Sequence, residues 1–426
     1  MAARDQPLPL SEVHRLIAAF APTLHFHPRE VFFPSSIDWY LSRADLVSQT
    51  GGIIAHHPAA TDLPTDAADP ANPEALWLAL DPAGVDPAAD PDTLPPADWR
   101  RGALETAKAY VRAVHDPAAG HTDLQFWLFY PFDGPGTARI RLFEAGALRG
   151  SDDLSLWPIG RHQADWEMSA IRIDHTTLEP SAVFLSQHYG GDSYVGEAAL
   201  AGLERDADGR LRFYAAQNSH ATYAHDEVRP IYYKRASLLI ASAEYALIDE
   251  TAAGGQSIDL SQPQRYEIVS TAWNDPAVAE PLWLRFAYRW GRFDADGGEL
   301  RPKLLRRVTG VIDHRAPAFV ALASIVTAGL FALAEALLPV VLGGQRGRKL
   351  LGAYRDTSGP VGPSQQQAKW SGNYGFPGPP PPTEWRGDGK PWQRGLANAA
   401  DAIARPLVAV IGAAARLIAG LFGSGR

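Results

Sequence analysis

The chain of 426 residues contains no cysteine. This absence excludes disulfide bonds, thiolate metal sites and cysteine nucleophiles together. The sequence also lacks a run of Lys and Arg, and its net charge is −9, so we expect no nucleic-acid partner. The first ten residues are polar and no signal-peptide pattern follows them. We therefore expect a cytoplasmic protein whose association with membranes depends on segments farther along the chain.

Apolar residues are abundant enough for a large core. They make up 46% of the chain, which includes 12 tryptophans. From about residue 104 to 292, short apolar segments alternate with turn residues and helical signals are weak. We predict a mainly β fold, with a β-sandwich core over residues 1–310. Residues 59–96 are rich in Ala, Pro and Asp and are expected to form a long surface loop.

The most informative short segment is 159–167, with the sequence I-G-R-H-Q-A-D-W-E. If a strand runs through it, the two-residue period places Asp165 and Glu167 on one face, and His162 lies in the preceding turn. Two carboxylates and one imidazole suit a divalent cation that keeps some of its waters. For an isolated H-x-x-D-x-E, a surface strand with solvated charges is the ordinary alternative.

Other polar residues stand at the ends of strand-like segments. Asp133 follows an aromatic segment and precedes a Pro/Gly turn, and His188 and His220 each follow an apolar segment. Strand ends at one edge of a sheet often carry the chemistry of a fold, so we expect these side chains near the H-x-x-D-x-E motif. If the site is catalytic, His188 and His220 are the candidates for the general base. A single histidine of this kind is more often structural.

With these motifs in place, the chain resembles the vacuolar protein sorting-associated protein 62 family. The resemblance spans about residues 20 to 370, and the motifs occur in the order typical of the family. The matching segments are 20–28 (F-A-P-T-L-H-F-H-P), 30–39 (E-V-F-F-P-S-S-I-D-W), 101–111 (R-G-A-L-E-T-A-K-A-Y-V), 126–136 (F-W-L-F-Y-P-F-D-G-P-G), 159–167, 186–191 (S-Q-H-Y-G-G), 219–223 (S-H-A-T-Y), 283–291 (W-L-R-F-A-Y-R-W-G) and 359–363 (G-P-V-G-P).

The metal motif is also similar to the G-H-R-H-D-W-E heptapeptide of necrosis- and ethylene-inducing-like proteins, which are secreted cytolysins. Their heptapeptide and an upstream aspartate bind a divalent cation. The resemblance implies that the ligands here are Asp133, His162, Asp165 and Glu167. Because residues 134–159 separate Asp133 from the motif, Asp152 and Asp153 remain alternatives for the upstream ligand. The resemblance further implies a β-sandwich with a hydrated metal pocket at one end. We expect the cation to be Mg²⁺ or Ca²⁺.

The C-terminal third has a different character. Residues 316–342 are apolar except for Glu335 and exceed the roughly 20 residues that span a bilayer. Residues 396–422 would form a helix with a very wide apolar face. Both segments could attach the protein to a membrane or pack as a soluble pair against the core. The predicted divisions after the core are an apolar helix at 311–350, a Gly/Pro/Trp-rich strap completing the core at 351–395 and an amphipathic helix at 396–426.

Three functions are compatible with this sequence. We favour a metal-dependent, membrane-associated binding module that recognises a lipid or glycan head group, with a trafficking-related or toxin-related role. The second is a metal-dependent hydrolase of phosphoryl or acyl esters, although no G-x-S-x-G or H-E-x-x-H is present. The third is a non-catalytic scaffold whose charged cluster is a buried polar network. The sequence leaves catalysis open and favours a protein that is not an enzyme.

Overall fold

The computed structural model describes residues 6–48, 51–65, 75–86, 89, 93–144, 147–155, 161–188, 190–238, 241–291 and 359–374. In this part of the chain most residues of regular structure lie in strands, arranged in four sheets. The prediction of a mainly β protein is therefore confirmed. Both predicted C-terminal helices lie outside the described residues. No helix that the structure describes is long and apolar enough to cross a membrane.

The described elements are short helices and many strands. The helices are α1 Leu10–Phe20, α2 Ile37–Leu41, α3 Glu197–Ala201 and α4 Gln367–Trp370. The strands are β1 Thr23–Phe26, β2 Ala44–Ser48, β3 Ile53–His56, β4 Leu76–Leu80, β5 Ala109–Asp116, β6 His121–Asp133, β7 Thr137–Glu144, β8 Ala147–Ser155, β9 His162–Asp174, β10 Pro180–Gln187, β11 Gly190–Val195, β12 Arg212–Ala215, β13 Thr222–Tyr223, β14 Val228–Leu238, β15 Ala241–Glu250, β16 Ser257–Asp259, β17 Tyr266–Thr271 and β18 Arg289–Trp290.

The largest sheet has six strands in the order β11-β10-β9-β6-β5-β17. Its two longest strands, β6 and β9, are antiparallel and paired from His121–Asp174 at one end to Asp133–His162 at the other. Strand β10 is antiparallel to β9, so the last residues of β6 and β10 lie at the same end of the sheet as the first residues of β9. This end carries several of the polar residues that the sequence analysis selected.

Both faces of this central sheet are buried. In β6, Leu124, Phe126 and Leu128 belong to one apolar core, whereas Trp127 and Phe129 belong to another. The first core is completed by α1 and by the sheet β13-β12-β1-β16, and the second by α2 and the sheet β18-β4-β2-β3. A strand buried on both faces reads as a continuous apolar run, as β6 does. The central sheet is thus the middle of three layers.

One prediction about the loops was wrong. The segment 59–96 does not lie wholly on the surface, because β4 pairs with β2 and buries Leu78 and Leu80 in the second core. The strand is only five residues long and is flanked by Ala-, Pro- and Asp-rich sequence. The five apolar residues of this strand are therefore outnumbered by the flanking residues that indicate turns, and the sequence does not reveal the strand.

The described part of the predicted strap, residues 359–374, lies against the core. The backbone N–H of Trp290 donates to the Pro360 carbonyl over 2.8 Å. The Arg112 guanidinium lies 4.2 Å from the centre of the Trp370 ring, and the Gln125 side chain donates to the Lys369 carbonyl over 2.8 Å. These contacts hold the end of α4 against strands β5 and β6 of the central sheet.

Candidate metal centre

Three potential ligands converge at the end of the central sheet. Asp133 is the last residue of β6 and pairs with His162, the first residue of β9. Asp165 follows on β9, and His220 comes from the segment between β12 and β13. One ligand atom each from Asp133, Asp165 and His220 lie within 4.8 Å of one another. The three side chains belong to different segments, so tertiary packing assembles this cluster.

The His220 ring is oriented so that a nitrogen lone pair faces the carboxylates. Its Nε2 atom lies 3.0 Å from the Phe32 carbonyl oxygen, and its Nδ1 atom lies 3.4 Å from Asp165 Oδ2 and 3.8 Å from Asp133 Oδ1. A carbonyl oxygen only accepts hydrogen bonds, so Nε2 carries the hydrogen and Nδ1 of the neutral ring does not. Histidines that bind metals are commonly held in this way, with the second nitrogen donating to a backbone carbonyl. The ring is fully buried and stacks on Tyr130 at 3.8 Å between centroids.

His162 is held in the same manner. Its Nδ1 atom lies 2.6 Å from the Ala164 carbonyl oxygen, and its Nε2 atom lies 3.5 Å from Asp133 Oδ2. Burial lowers the pKa of His162, which favours the neutral ring. The Asp133 carboxylate therefore lies between two imidazole nitrogens. It accepts no close hydrogen bond from any residue that the structure describes.

The backbone around the cluster is strained at several positions. Non-glycine residues with a left-handed φ cost about 1–3 kcal/mol each, and they persist mainly at functional sites. In the described part of the chain, one such residue belongs to this cluster, His220 at 55°, and three border it: Ala164 at 59°, His188 at 38° and Asn218 at 69°. The Glu30 carboxylate supports one of them, since its Oε2 accepts from the Asn218 N–H over 2.7 Å.

Glu167 borders the cluster of three without belonging to it. It lies on the same face of β9 as Asp165, as the period predicts, but its Oε2 accepts a hydrogen bond from Ser186 Oγ at 2.7 Å. The Lys369 ammonium donates to the same hydroxyl at 2.7 Å. Burial, followed by the charge of Asp165, raises the pKa of Glu167 to about 8. Its role as a ligand stays a prediction.

The electrostatics of the two aspartates differ. Burial and the charges of Asp165 and Glu167 raise the pKa of Asp133 well above its usual range. Burial also opposes ionisation of Asp165, but its contacts with the His220 and His162 rings and with the Trp166 N–H outweigh burial and lower the pKa of Asp165. A divalent cation would stabilise the ionised form of Asp133, for which no described residue supplies a close donor. The donor set of two carboxylates and two imidazole nitrogens therefore fits a divalent cation.

Neither of the two alternative upstream ligands, Asp152 and Asp153, is found at the cluster in the described part of the chain. Asp153 forms a two-pronged ion pair with Arg139, at 2.7 and 2.8 Å, within the sheet β14-β15-β7-β8. The Asp152 side chain lies outside the described residues. Of the candidates whose side chains are described, Asp133 is the one that reaches the cluster.

A second polar group next to the cluster was not predicted from the sequence. The carboxylate of Asp249, near the end of β15, accepts hydrogen bonds from His188 Nε2 at 2.8 Å, Ser219 Oγ at 2.8 Å and Tyr223 OH at 2.5 Å. The sequence contained a signal, because Asp249 lies near the end of its strand, directly after the apolar residues 246–248, much as Asp133 ends β6.

This environment argues against His188 as a general base. Burial disfavours its charged form, but the nearby Asp249 carboxylate outweighs that effect and raises the pKa of His188 to about 9. Burial of Asp249 is likewise outweighed by His188, which lowers the pKa of that aspartate. At neutral pH the His188 ring is therefore protonated, and a protonated imidazole has no lone pair with which to accept a proton.

We expect the protein treated with a chelator to become less stable as the pH rises from 6.5 to 9. The pKa of Glu167 rises from 4.5 to about 8 on folding and that of His188 from 6.5 to about 9, so the folded state holds protons that the unfolded state has released. Stability then falls with rising pH across this window. Urea unfolding midpoints measured at each pH with EDTA, and again with saturating cation, test this. If the urea midpoint in EDTA rises with pH, the raised pKa values of Glu167 and His188 are contradicted.

Comparison with known proteins gives one match over most of the chain. The sequence model of the family described as vacuolar protein sorting-associated protein 62 matches residues 5–296. This segment contains every residue of the candidate centre. Among curated proteins, no sequence matches the chain significantly.

Solved structures with a similar arrangement include the necrosis-inducing proteins that the metal motif resembles. Necrosis and ethylene inducing protein 2 from the causal agent of cocoa's witches' broom disease is 19% identical, with a TM-score of 0.25 over 50% of this chain and 68% of that one. A protein described as a toxin fold for microbial attack and plant defense is 12% identical, with a TM-score of 0.28 over 70% and 92%. NLPPya in complex with mannosamine is 14% identical, with a TM-score of 0.26 over 52% and 71%. Similarities with such low sequence identities and TM-scores do not determine the ligand or the activity of this chain.

Proposed function

The chain belongs to the vacuolar protein sorting-associated protein 62 family, and on that basis we propose that it is a metal-dependent binding module for the polar head group of a lipid or glycan. The observation that carries the proposal is the buried Asp133 carboxylate. It lies between His162 Nε2 and His220 Nδ1 at 3.5 and 3.8 Å, and no described residue donates a close hydrogen bond to it. A divalent cation would supply the positive charge that this arrangement favours.

In the proposed centre Asp133, Asp165 and His220 are the primary ligands and His162 completes the set. Glu167 lies next along β9 and either binds the ion or orders a water on it. Carboxylates suit Mg²⁺ and Ca²⁺, which the sequence predicted, whereas imidazoles suit Zn²⁺ and other transition metals. The second imidazole therefore extends the choice of cation to Mn²⁺ and Zn²⁺.

The proposed ligand is a head group rich in oxygen. A cation that keeps some of its waters can exchange them for hydroxyl or phosphate oxygens. His188 supports this assignment, because its side chain is 33% exposed and the neighbouring Asp249 carboxylate keeps it protonated against the effect of burial. Its Nε2 is used by Asp249, which leaves Nδ1–H to donate to an anionic or hydroxyl oxygen.

The membrane association that we propose depends on residues 316–342 and 396–422, which lie outside the described residues. Their apolar character supports either insertion or docking on the surface of a bilayer. They would bring the binding module close to lipid or glycolipid head groups. The high local concentration of head groups would then allow even a weak metal-dependent interaction to form.

Vesicle flotation tests the proposal. The full chain is mixed with vesicles of phosphatidylcholine alone, which measure the contribution of the apolar segments, and with vesicles that also contain phosphatidylinositol, phosphatidylserine or a glycolipid. Each mixture is prepared with EDTA or with Mg²⁺, Ca²⁺, Mn²⁺ or Zn²⁺. We expect at least one head group to increase binding about tenfold or more with cation, a typical effect for changes at a metal site.

The double variant Asp133→Asn/Asp165→Asn should lose this increase. The matched control is Asp153→Asn, because Asp153 is an acidic strand residue paired with Arg139 instead of belonging to the cluster. The control should bind like the wild type. Binding that is equal in EDTA and in cation for every head group would overturn the proposed function and leave a scaffold.

A further inference from the structure

A second group of potential ligands lies in a different sheet. In the sheet β18-β4-β2-β3, β2 is antiparallel to both β3 and β4, so the first residues of β2 lie beside the last residues of its neighbours. Asp45 pairs with His56, and Ala44 pairs with Leu80. This register brings two carboxylates and two imidazoles to one end of the sheet. They are Asp45, His56, His57 and Asp81.

The side chains of this group face one another. One ligand atom each from Asp45, His57 and Asp81 lie within 4.8 Å of one another. His57 Nε2 lies 3.4 Å from Asp81 Oδ2, and His56 Nδ1 lies 3.0 Å from Asp45 Oδ1. Asp81 Oδ1 accepts from the Ala83 N–H, which leaves Oδ2 facing His57.

Charge balance favours a bound cation here. The Asp45 side chain is only 4% exposed, and in the part of the chain that the structure describes its sole hydrogen-bond partner is His56. Neither Asp45 nor Asp81 is paired with a Lys or Arg among the described residues. Buried carboxylates are normally paired with a cation or bound to a metal. The two histidine side chains are largely exposed, so an ion can enter from solvent.

We propose that Asp45, His57 and Asp81, together with His56, form a second divalent-cation site, independent of the centre at the end of the central sheet. Two imidazole nitrogens and two carboxylate oxygens match the ligands and number that Zn²⁺ prefers. The ion ties the end of β3, an edge strand with the exposed residues Ile53 and Ile54, to the ends of β2 and β4.

Zinc titration of the full chain tests the site in a protein that lacks the first centre. The parent is the chelator-stripped Asp133→Asn/Asp165→Asn variant, so failure of the proposed function does not affect the outcome. Calorimetry with Zn²⁺ and visible absorption with Co²⁺ should both report one ion for each chain. Zn²⁺ should also slow amide hydrogen exchange in β3 about tenfold or more, because metal ligands restrain the strand that carries them.

Adding His57→Ala and Asp81→Asn to this parent should weaken Zn²⁺ binding about 100-fold or more, as expected when ligands are removed. Asparagine keeps an oxygen that can cap the Ala83 N–H, so the fold is preserved. The matched control is His225→Ala, an exposed histidine that lies 3.4 Å from a single carboxylate, Glu204. A folded parent that binds no Zn²⁺, or equal affinity in parent and variant, would overturn the second site.

Discussion

Replacing Asp133 by asparagine is expected to stabilise the metal-free protein and to abolish its response to divalent cations. In the metal-free state the Asp133 carboxylate is buried among two other acids and has no close hydrogen-bond donor among the described residues. An asparagine amide has no charge and can donate to the free nitrogen of His162 or His220. We expect a gain of about 1–3 kcal/mol in the free energy of unfolding, the usual cost of a buried polar group without a partner.

The same substitution removes a ligand, so the increase in melting temperature that the cation gives the wild type should disappear. The control is Asp165→Asn, which should also lose the cation response but without the gain in stability. Asp165 already accepts from the Trp166 N–H at 2.8 Å, and its pKa is lowered because this donor and the two neighbouring imidazoles outweigh burial. An Asp133→Asn protein that is less stable than the wild type and still responds to cations would contradict the proposed centre.

Replacing Asp249 by alanine is expected to have the opposite effect and to destabilise the protein. Its carboxylate accepts three hydrogen bonds, and its removal leaves the protonated His188 and the Tyr223 hydroxyl without an acceptor. A buried donor left without an acceptor, here the Tyr223 hydroxyl, costs about 1–3 kcal/mol, and the partly exposed His188 adds less because water reaches it. Urea unfolding measures this loss against the wild type.

The control for this prediction removes one donor and keeps the acceptor. Ser219→Ala deletes a single hydrogen bond to Asp249 and should cost about 1 kcal/mol. Asp249 is not among the proposed ligands, so the folded Asp249→Ala protein should still bind a cation at the first centre. A cost below that of Ser219→Ala would show that Asp249 does not stabilise the fold as its contacts indicate.

The local part of the site could be predicted from the sequence. The two-residue period of β9 places Asp165 and Glu167 on one face, and the Pro/Gly turn after β6 correctly indicated a strand end at Asp133. These features depend on a few neighbouring residues, where backbone geometry alone sets the direction of a side chain. The structure adds that β6 and β9 place Asp133 opposite His162.

The rest of the site depends on contacts between distant segments. His220 reaches Asp165 because a different layer packs on the central sheet, and no local pattern encodes that distance. The hydrogen bond from Ser186 to Glu167 and the one from Lys369 to Ser186 likewise join residues that are far apart in the sequence. The second group was missed because β4 lies within a segment whose composition indicated a loop, so Asp81 was not recognised as the end of a strand.

Calorimetric titration of the chelator-stripped full chain with Mg²⁺, Ca²⁺, Mn²⁺ and Zn²⁺ tests the central claim most directly. The protein carries His57→Ala/Asp81→Asn to remove the second group and is compared with the same protein carrying Asp165→Ala/Glu167→Ala in addition. We predict one tightly bound ion for each chain in the first protein and none in the second. A correctly folded first protein that binds none of the four cations would contradict the metal centre.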